Sequence, residues 1–391
     1  MIIHTTEIIR KLNLNYLEEG KEIINVINGE DKIKIILNEK IMSTKEITKI
    51  LNLTPRAIRK CLSNLERKGK VKRRRGKKIN KNFRNSDYWR LIEKPDIPHK
   101  VPDKKILVYY RKEHYNKSYR SHYMFLPQKI ILNKDKLSAI GFYDAEGSKT
   151  KPKSIEVVNS EPRLIIEFIR FLEEFGIEKE NLSYRIIFNK KLLNVLDQSK
   201  EELESESLRF WENEVGIPKK RLRKFNYAGV KEGNISINKI IYGSLNINYN
   251  SVLFRKFIFS LIKQVKVKIK KEGEIVSYLR GYLAGEAYVG QRDREIQIAS
   301  IDKEHLAFVK LLLERIGIRC SINKETSTSP QRIIIANINS FLILESVDIF
   351  KFHPMKRQNL IKKILNYKSI NPIKRASLRR KIPSTTKYLR L

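Results

Sequence analysis

One stretch of this sequence occurs twice. Ala139-Ile140-Gly141-Phe142-Tyr143-Asp144-Ala145-Glu146-Gly147 is echoed by Leu279-Arg280-Gly281-Tyr282-Leu283-Ala284-Gly285-Glu286-Ala287. The match continues in register: Ile155-Glu156-Val157 and the run Leu164–Ile177 correspond to Ile296-Gln297-Ile298 and the run His305–Ile318. Such in-register repetition means that two segments share one folding plan. Each copy reads as a helix ending at the acid, alternating strand segments, then an amphipathic helix closed by Gly176 or Gly317, residues suited to a left-handed C-terminal cap. Further strand-like runs are Tyr184–Phe188 and Asn234–Ile247 in the first copy, Cys320–Ile322 and Ile333–Ile338 in the second. The helical run Val252–Val267 closes the first copy, and a basic, partly helical tail from Phe350 closes the second. The fold class expected is α+β, with half-domains over residues 131–270 and 271–391.

The motif carries its own chemistry. Gly141 and Ala145, and again Gly281 and Gly285, lie four apart, so each motif helix has a groove where another backbone can approach closely. If the two helices pack on each other about a pseudo-twofold axis, Glu146 and Glu286 arrive at the same place. A carboxylate at a helix C-terminus faces the negative end of the macrodipole, and a second carboxylate adds like-charge repulsion. A cation or a proton relieves both. Oxygen-only ligation beside phosphate suits Mg²⁺, and metal-assisted hydrolysis of a phosphodiester needs such paired carboxylates. The six histidines show neither i,i+4 pairing nor a His-Glu-x-x-His arrangement, and Cys61 and Cys320 lie far apart within apolar runs. That argues against a zinc site or a disulfide framework.

A different pattern occupies residues 1–94. Ser43-Thr44-Lys45-Glu46 has the form of a capping box, and Ile47, Ile50 and Leu51 give a short helix its apolar side. Thr54-Pro55 then opens a second helix with a capping hydroxyl and Pro at the first helical position. Its apolar residues Ile58, Cys61, Leu62 and Leu65 leave Arg56, Arg59, Lys60 and Ser63 facing outward. Two short helices so joined, the second basic outside, make the helix-turn-helix that places a helix in the DNA major groove. The run Lys70–Lys78, with Arg73, Arg74, Arg75 and Lys77, followed by Tyr88-Trp89, reads as a basic hairpin wing. The expectation is a winged helix-turn-helix domain; a small helical bundle with a solvated basic face is the alternative. Residues 95–130 begin with three prolines and continue as basic residues mixed with aromatics, among them Tyr109, Tyr110, Arg111, His114, Tyr115, Tyr119, Arg120 and Tyr123. This segment reads as a linker, lying along a phosphate backbone or forming a strand pair packed on a neighbour.

Charge narrows the partners. The chain has 391 residues, 81 Lys+Arg against 43 Asp+Glu, and a formal charge of +38, while 41% of it is hydrophobic. That is enough apolar material for two or three folded units, and the excess charge calls for a polyanion, nucleic acid before a membrane surface. No apolar stretch approaches the length of a spanning helix, and the opening Met1–Tyr16 lacks a signal core, so a cytoplasmic location is expected.

The paired Gly-Phe-Tyr-Asp-Ala-Glu-Gly and Gly-Tyr-Leu-Ala-Gly-Glu-Ala segments resemble the two signature motifs of the LAGLIDADG (dodecapeptide, DOD-type) homing endonucleases in their single-chain, two-repeat form, over roughly residues 126–391. The resemblance implies αββαββα half-domains whose sheets form a saddle over the major groove of double-stranded DNA. It also implies double-strand cleavage with Mg²⁺ or Mn²⁺, as in intron homing. The acid at the eighth motif position is the metal ligand in that family, here Glu146 and Glu286. The sixth position is Asp144, a further candidate ligand, in copy one and Ala284 in copy two. Basic groups near the metals are also implied, with Lys239 and Lys356 as candidates. Two departures stand out: Glu replaces the common Asp at both eighth positions, and Ala287 replaces the closing Gly of the second motif.

Three functions fit these features. The first is a free-standing, site-specific endonuclease, a monomer with internal symmetry in which each half cuts one strand. The second is a non-cleaving regulator, resembling bacterial sporulation regulators that join degenerate LAGLIDADG repeats to a helix-turn-helix. The third is an RNA-binding splicing maturase. The chain does not open with Cys or Ser and ends Lys387-Tyr388-Leu389-Arg390-Leu391 rather than His-Asn, so a self-splicing intein is not expected.

Overall fold

The computed structural model describes residues 1–22, 29–39, 41–74, 87–91, 100–113, 119–190, 198–228, 241–290, 294–300, 302–323, 330–367 and 370–381. The chain divides into two compact units, His4–Ile130 and Ile131–Leu391, the latter including the first three residues. Helices and strands are mixed in both. No described helix is long and apolar enough to cross a membrane.

From the N-terminus the elements run β1 (Ile2–His4), α1 (Thr5–Lys11), β2 (Asn15–Leu17), α2 (Gly29–Glu39), β3 (Met42–Ser43), α3 (Thr44–Leu51), α4 (Pro55–Arg67), β4 (Val71–Arg74), β5 (Tyr88–Leu91), β6 (Lys105–Glu113), β7 (Tyr119–Pro127) and β8 (Lys129–Ile131). The capping box forms: Ser43 Oγ accepts from Glu46 N at 3.2 Å, and Ser43 N donates to Glu46 Oε2 at 2.7 Å. Asn52, with φ of 49°, turns the chain between α3 and α4, and Thr54 Oγ1 caps α4 by accepting from Ala57 N at 3.3 Å. Asn tolerates that left-handed conformation better than most residues. Ile58, Leu62 and Leu65 bury one side of α4 against Ile33, Leu37, Ile47, Val71 and Trp89. An antiparallel sheet of order β3-β5-β4 completes this core. Lys105–Glu113 and Tyr119–Pro127 pair as strands, with Tyr109 opposite Tyr123 in register, in a second sheet of order β2-β6-β7. Tyr123 donates its hydroxyl to Asp31 on α2 at 2.8 Å, which ties the aromatic segment into this unit.

In the larger unit the first half runs α5 (Lys134–Glu146), β9 (Ile155–Asn159), α6 (Pro162–Glu173), β10 (Ser183–Asn189), α7 (Lys200–Val215), β11 (Leu222–Ala228), β12 (Ser244–Tyr249) and α8 (Val252–Lys268). The second runs α9 (Glu272–Glu286), β13 (Ala287–Tyr288), β14 (Ile296–Ala299), α10 (Lys303–Arg315), β15 (Ser321–Asn323), β16 (Arg332–Ile335), α11 (Ile338–Ser346), α12 (Pro354–Leu365) and α13 (Pro372–Arg380). Gly176 and Gly317, at φ of 72° and 81°, follow α6 and α10 in the left-handed conformation that glycine adopts without a Cβ penalty.

The two sheets have orders β11-β10-β12-β9 and β13-β14-β16-β15. The second half follows the order helix, two strands, helix, two strands, helix. The first departs from it in two places. Among the described residues no strand lies between α5 and β9, and α7 with β11 is inserted between β10 and β12. The expected strand Ile333–Ile338 ends at Ile335, because the Asn337 side chain accepts from Ser340 N at 2.8 Å and starts α11.

Strand alternation gives each sheet one apolar and one polar face. In β10, Tyr184, Ile186 and Phe188 are buried while Ser183, Arg185, Ile187 and Asn189 are half-buried; in β14, Ile296 and Ile298 are buried while Gln297 and Ala299 are half-buried. On the polar face Ser183, Arg185 and Asn189 in the first sheet and Gln297 and Arg332 in the second stay half-buried, whereas Asn246 and Glu156 on the same face of the first sheet are buried and bonded to each other, Glu156 also to Arg185.

Candidate active site

The motif helices α5 and α9 pack on each other, and glycine is what lets them. A Cβ placed on Gly281 would lie 1.7 Å from the Ser138 carbonyl oxygen, and one on Gly141 would lie 2.1 Å from that of Tyr278. The next neighbours match as well, Phe142 N for Gly281 and Tyr282 N for Gly141. Exchange each residue for its counterpart in the other motif and these contacts map onto one another, as a twofold relation between the helices requires. Ser138 Oγ adds a buried hydrogen bond to the Ser277 carbonyl at 2.8 Å. Nearer the C-terminal ends, a Cβ on Gly285 would lie 3.1 Å from Ala145 Cβ and 2.8 Å from Glu146 Cγ, so the Glu146 side chain lies over Gly285.

Both helices end at their acid, Glu146 and Glu286, and each acid is half-buried. Burial pushes the Glu146 carboxyl up to about 7, the Glu286 charge adds to the rise, and the Lys356 ammonium opposes it. Burial also raises Glu286, against the pull of Lys149 and Lys356. Two desolvated carboxylates at the negative ends of two helices want a cation.

Lys356, in the first turn of α12, supplies part of that charge. Its Nζ donates to the carbonyls of Ala284 at 2.6 Å, Gly285 at 2.7 Å and Leu283 at 3.4 Å, capping α9 from outside. Lys149, three residues past the first acid, also acts on Glu286. Sequence reading passed over Lys149; its signal is the basic run Lys149–Lys153 directly after the motif.

The donor set fits a hard divalent ion. Among the described residues no three His, Cys, Asp or Glu side chains converge on one point, so Glu146 and Glu286 would be the protein ligands, with water or phosphate oxygens completing the shell. Mg²⁺ is commonly held in this way, by one or two carboxylates and retained waters.

Asp144 is not placed with these acids. It is buried, accepts the Tyr278 hydroxyl, forms an ion pair with Lys266 Nζ at 2.8 Å and lies 3.7 Å from His305 Nδ1. Its carboxylate is engaged by Tyr278 and Lys266 between the two halves rather than turned to Glu146 and Glu286. Lys239, Arg75 and Lys77 lie outside the described residues. In the N-terminal unit Arg56, Arg59, Lys60 and Ser63 are all exposed on α4, and Arg74 is exposed on β4. Arg73 differs: its guanidinium pairs with Asp87, Nε to Oδ2 at 2.9 Å, and lies over the Trp89 ring at 5.5 Å. That contact braces β4 against β5.

A family model described as a LAGLIDADG-like domain matches residues 273–347, which hold the second motif and its acid. A second, described as the HTH domain of the M protein trans-acting positive regulator, matches residues 33–68, from α2 to the end of α4. No curated protein matches the chain. Among solved structures, the chain is similar to I-DmoI in complex with DNA and Mn, at 12% identity over 56% of this chain and 98% of that one, with a TM-score of 0.32. It is similar to the N-terminal LAGLIDADG domain of DUF199/WhiA at 14% identity, 56% and 85% coverage and a TM-score of 0.32. Full-length DUF199/WhiA from Thermatoga maritima matches at 11% identity, 63% and 66% coverage and a TM-score of 0.32.

Proposed function

We propose that this chain is a LAGLIDADG-type, metal-dependent endonuclease acting on double-stranded DNA, with a winged helix-turn-helix reader in its N-terminal unit. One observation carries the reading: Glu146 and Glu286 end two helices packed through reciprocal glycine contacts, and both acids are held protonated more readily than free glutamate. A surface cap has no reason to be duplicated, desolvated and set against its own copy. The formal charge of +38 and the polar faces of both sheets suit a phosphate backbone.

In this reading the two half-domains form a pseudo-symmetric saddle, and each half acts on one strand. Glu146 and Glu286 would hold Mg²⁺ or Mn²⁺, and the ion would supply Lewis-acid chemistry toward a phosphoryl oxygen and a water. Lys356 fixes the end of α9 and limits the repulsion between the acids. Lys149, exposed beside Glu286, is placed to meet the phosphate charge. Arg56, Arg59, Lys60 and Ser63 present α4 to the major groove, with Arg74 on the adjoining strand.

The DNA-binding regulator is a second reading, favoured by Lys356: an ammonium already occupies the carbonyls at the end of α9 and partly neutralises both acids without any metal. Incubation with a pooled duplex library and Mg²⁺ separates the two. The nuclease reading expects cut products that vanish in a Glu146→Gln variant; binding with no cutting, unchanged in that variant, leaves the regulator.

A further inference from the structure

The first half carries an α/β insertion with no counterpart among the described residues of the second, and its charges are sorted. Helix α7 holds Glu201, Glu202, Glu204, Glu206, Glu212 and Glu214, whereas residues 219–224, which lead into and begin β11, hold Lys219, Lys220, Arg221, Arg223 and Lys224. All five cations are exposed. In a chain with so large a positive excess, scattered lysines would carry little information; a helix with six Glu against Lys200 and Arg209, followed by five cations in the short turn Lys219–Arg221 and the start of β11, does.

Placement in the fold gives the sorting a direction. Helix α7 buries Leu203, Ser207, Trp211 and Val215, a stripe at four-residue spacing, and packs against α6. Strand β11 joins β10 in parallel at the outer edge of the sheet. Phe225 and Tyr227 stack on Phe188, whose side chain lies in the core, at 6.1 and 5.2 Å between ring centroids. Tyr227 also donates to Glu204 of α7 at 2.9 Å. Side chains alternate along a strand, so Lys224 falls on the opposite face, in register with Arg185. The polar face of the sheet is therefore widened by one strand, about 4.8 Å, and gains Lys224, with Arg223 at the register shift and Lys219, Lys220 and Arg221 in the turn that leads into the strand. The second sheet ends instead at β15, whose Ser321 and Asn323 carry no charge.

We infer that Lys219–Lys224 is an added phosphate-binding edge that extends the DNA contact on the first-half side only, making the footprint of a two-fold scaffold one-sided. The inference rests on the proposal that the sheets face duplex DNA. Its occupant is the duplex backbone flanking the cleavage region, since the edge offers cations and no apolar or aromatic platform for bases.

The test compares two charge-matched variants of the full chain on one mixed-sequence 40-bp duplex, by the salt dependence of binding. The edge variant is Lys220→Gln/Arg223→Gln/Lys224→Gln; the control is Lys256→Gln/Lys263→Gln/Lys270→Gln, which removes three exposed lysines from α8 and the residues after it. Each lost phosphate contact lowers the slope of log K against log salt by about 0.9, so the edge variant should lose about 2 to 3 and the control less than half of that. Equal losses in the two, or none in the edge variant, overturn the inference. A flat salt response in the parent protein would instead overturn DNA binding itself, a separate result. Unchanged circular dichroism and melting of both variants confirm that folding is not what is read.

Discussion

Gly281 lies so close to Ser138 that its missing side chain is a structural requirement: a Cβ there would sit 1.7 Å from the Ser138 carbonyl oxygen, inside any van der Waals contact. The obstacle is backbone, which cannot rotate away as a side chain would. Gly281→Ala, and Gly141→Ala with its 2.1 Å approach to Tyr278, must push α5 and α9 apart. The expected loss is about 3 kcal/mol or more, at the upper end for overpacking. Gly273→Ala, on the same helix α9 with nothing within 4 Å, should be neutral or slightly stabilising. Urea unfolding of the three variants checks this; a mild Gly281→Ala would mean that the helices are not in contact there.

The acid pair makes stability depend on pH in a calculable direction. Glu146 titrates at about 7 in the fold against an ordinary 4.5, so the unfolded chain gives up this proton first. Below 4.5 the group contributes nothing, between 4.5 and about 7 stability falls as pH rises, and above that the loss is complete, on the order of 3 kcal/mol. Relative to the parent, Glu146→Gln should be neutral near pH 4 and more stable at pH 8. Added Mg²⁺ should raise the melting temperature of the parent at pH 8 and have a smaller effect on the variant, since binding to the native state alone is what stabilises. A pH-independent difference between the two proteins would contradict the placement of this carboxyl.

The group around Asp144 predicts the opposite slope. Burial pushes His305 down to about 4, with Asp144 opposing the shift and Lys266 reinforcing it. Lys266 Nζ lies 2.7 Å from His305 Nδ1, so the neutral ring accepts there and carries its proton on Nε2. The folded state resists protonation, so the parent loses stability as pH falls from about 6.5 to about 4. His305→Gln should recover that loss, its advantage over the parent growing as pH falls through this window. Asp144→Asn, which leaves Lys266 without its buried counter-charge, should destabilise the fold at pH 7, by less than the roughly 3 to 5 kcal/mol of a fully buried pair because Lys266 is partly exposed. Thermal melts across pH test both. A tolerated Asp144→Asn would return this residue to the list of candidate ligands.

Local patterns were the legible part of the sequence. The capping box at Ser43 and Glu46, the Thr54-Pro55 helix start and the left-handed Gly176 and Gly317 each depend on a few adjacent residues, and each is found where the pattern puts it. The meeting of α5 with α9 was legible too, because small residues four apart state a close approach without naming the partner, and repetition named it. The partners of Asp144 were not legible, because a motif position says which residue is present and not where its carboxylate points; Lys266 and His305, more than a hundred residues downstream, decide that. The α7–β11 insertion was invisible for a related reason. Its strand pairs with β10 across a helix, and alternation alone does not show which edge a strand joins. Lys149 went unnoticed because one more lysine means little in so basic a chain.

Lys356 separates structural from chemical roles at the candidate site. Its ammonium accepts no substitute among neutral side chains: three carbonyls at the end of α9 converge on it, and both glutamates feel its charge. Lys356→Met keeps the apolar stem but strands those carbonyls, so a loss of about 1 to 3 kcal/mol is expected. It also removes the cation that holds Glu146 down and that acts with Lys149 on Glu286, so both should titrate higher still, and Mg²⁺ binding measured by calorimetry should shift to higher pH. Lys356→Arg, which retains the charge on a bulkier head, should restore the titration more fully than the stability. If Lys356→Met changed stability alone and left the pH dependence of Mg²⁺ binding where it was, the lysine would be a helix cap and nothing more.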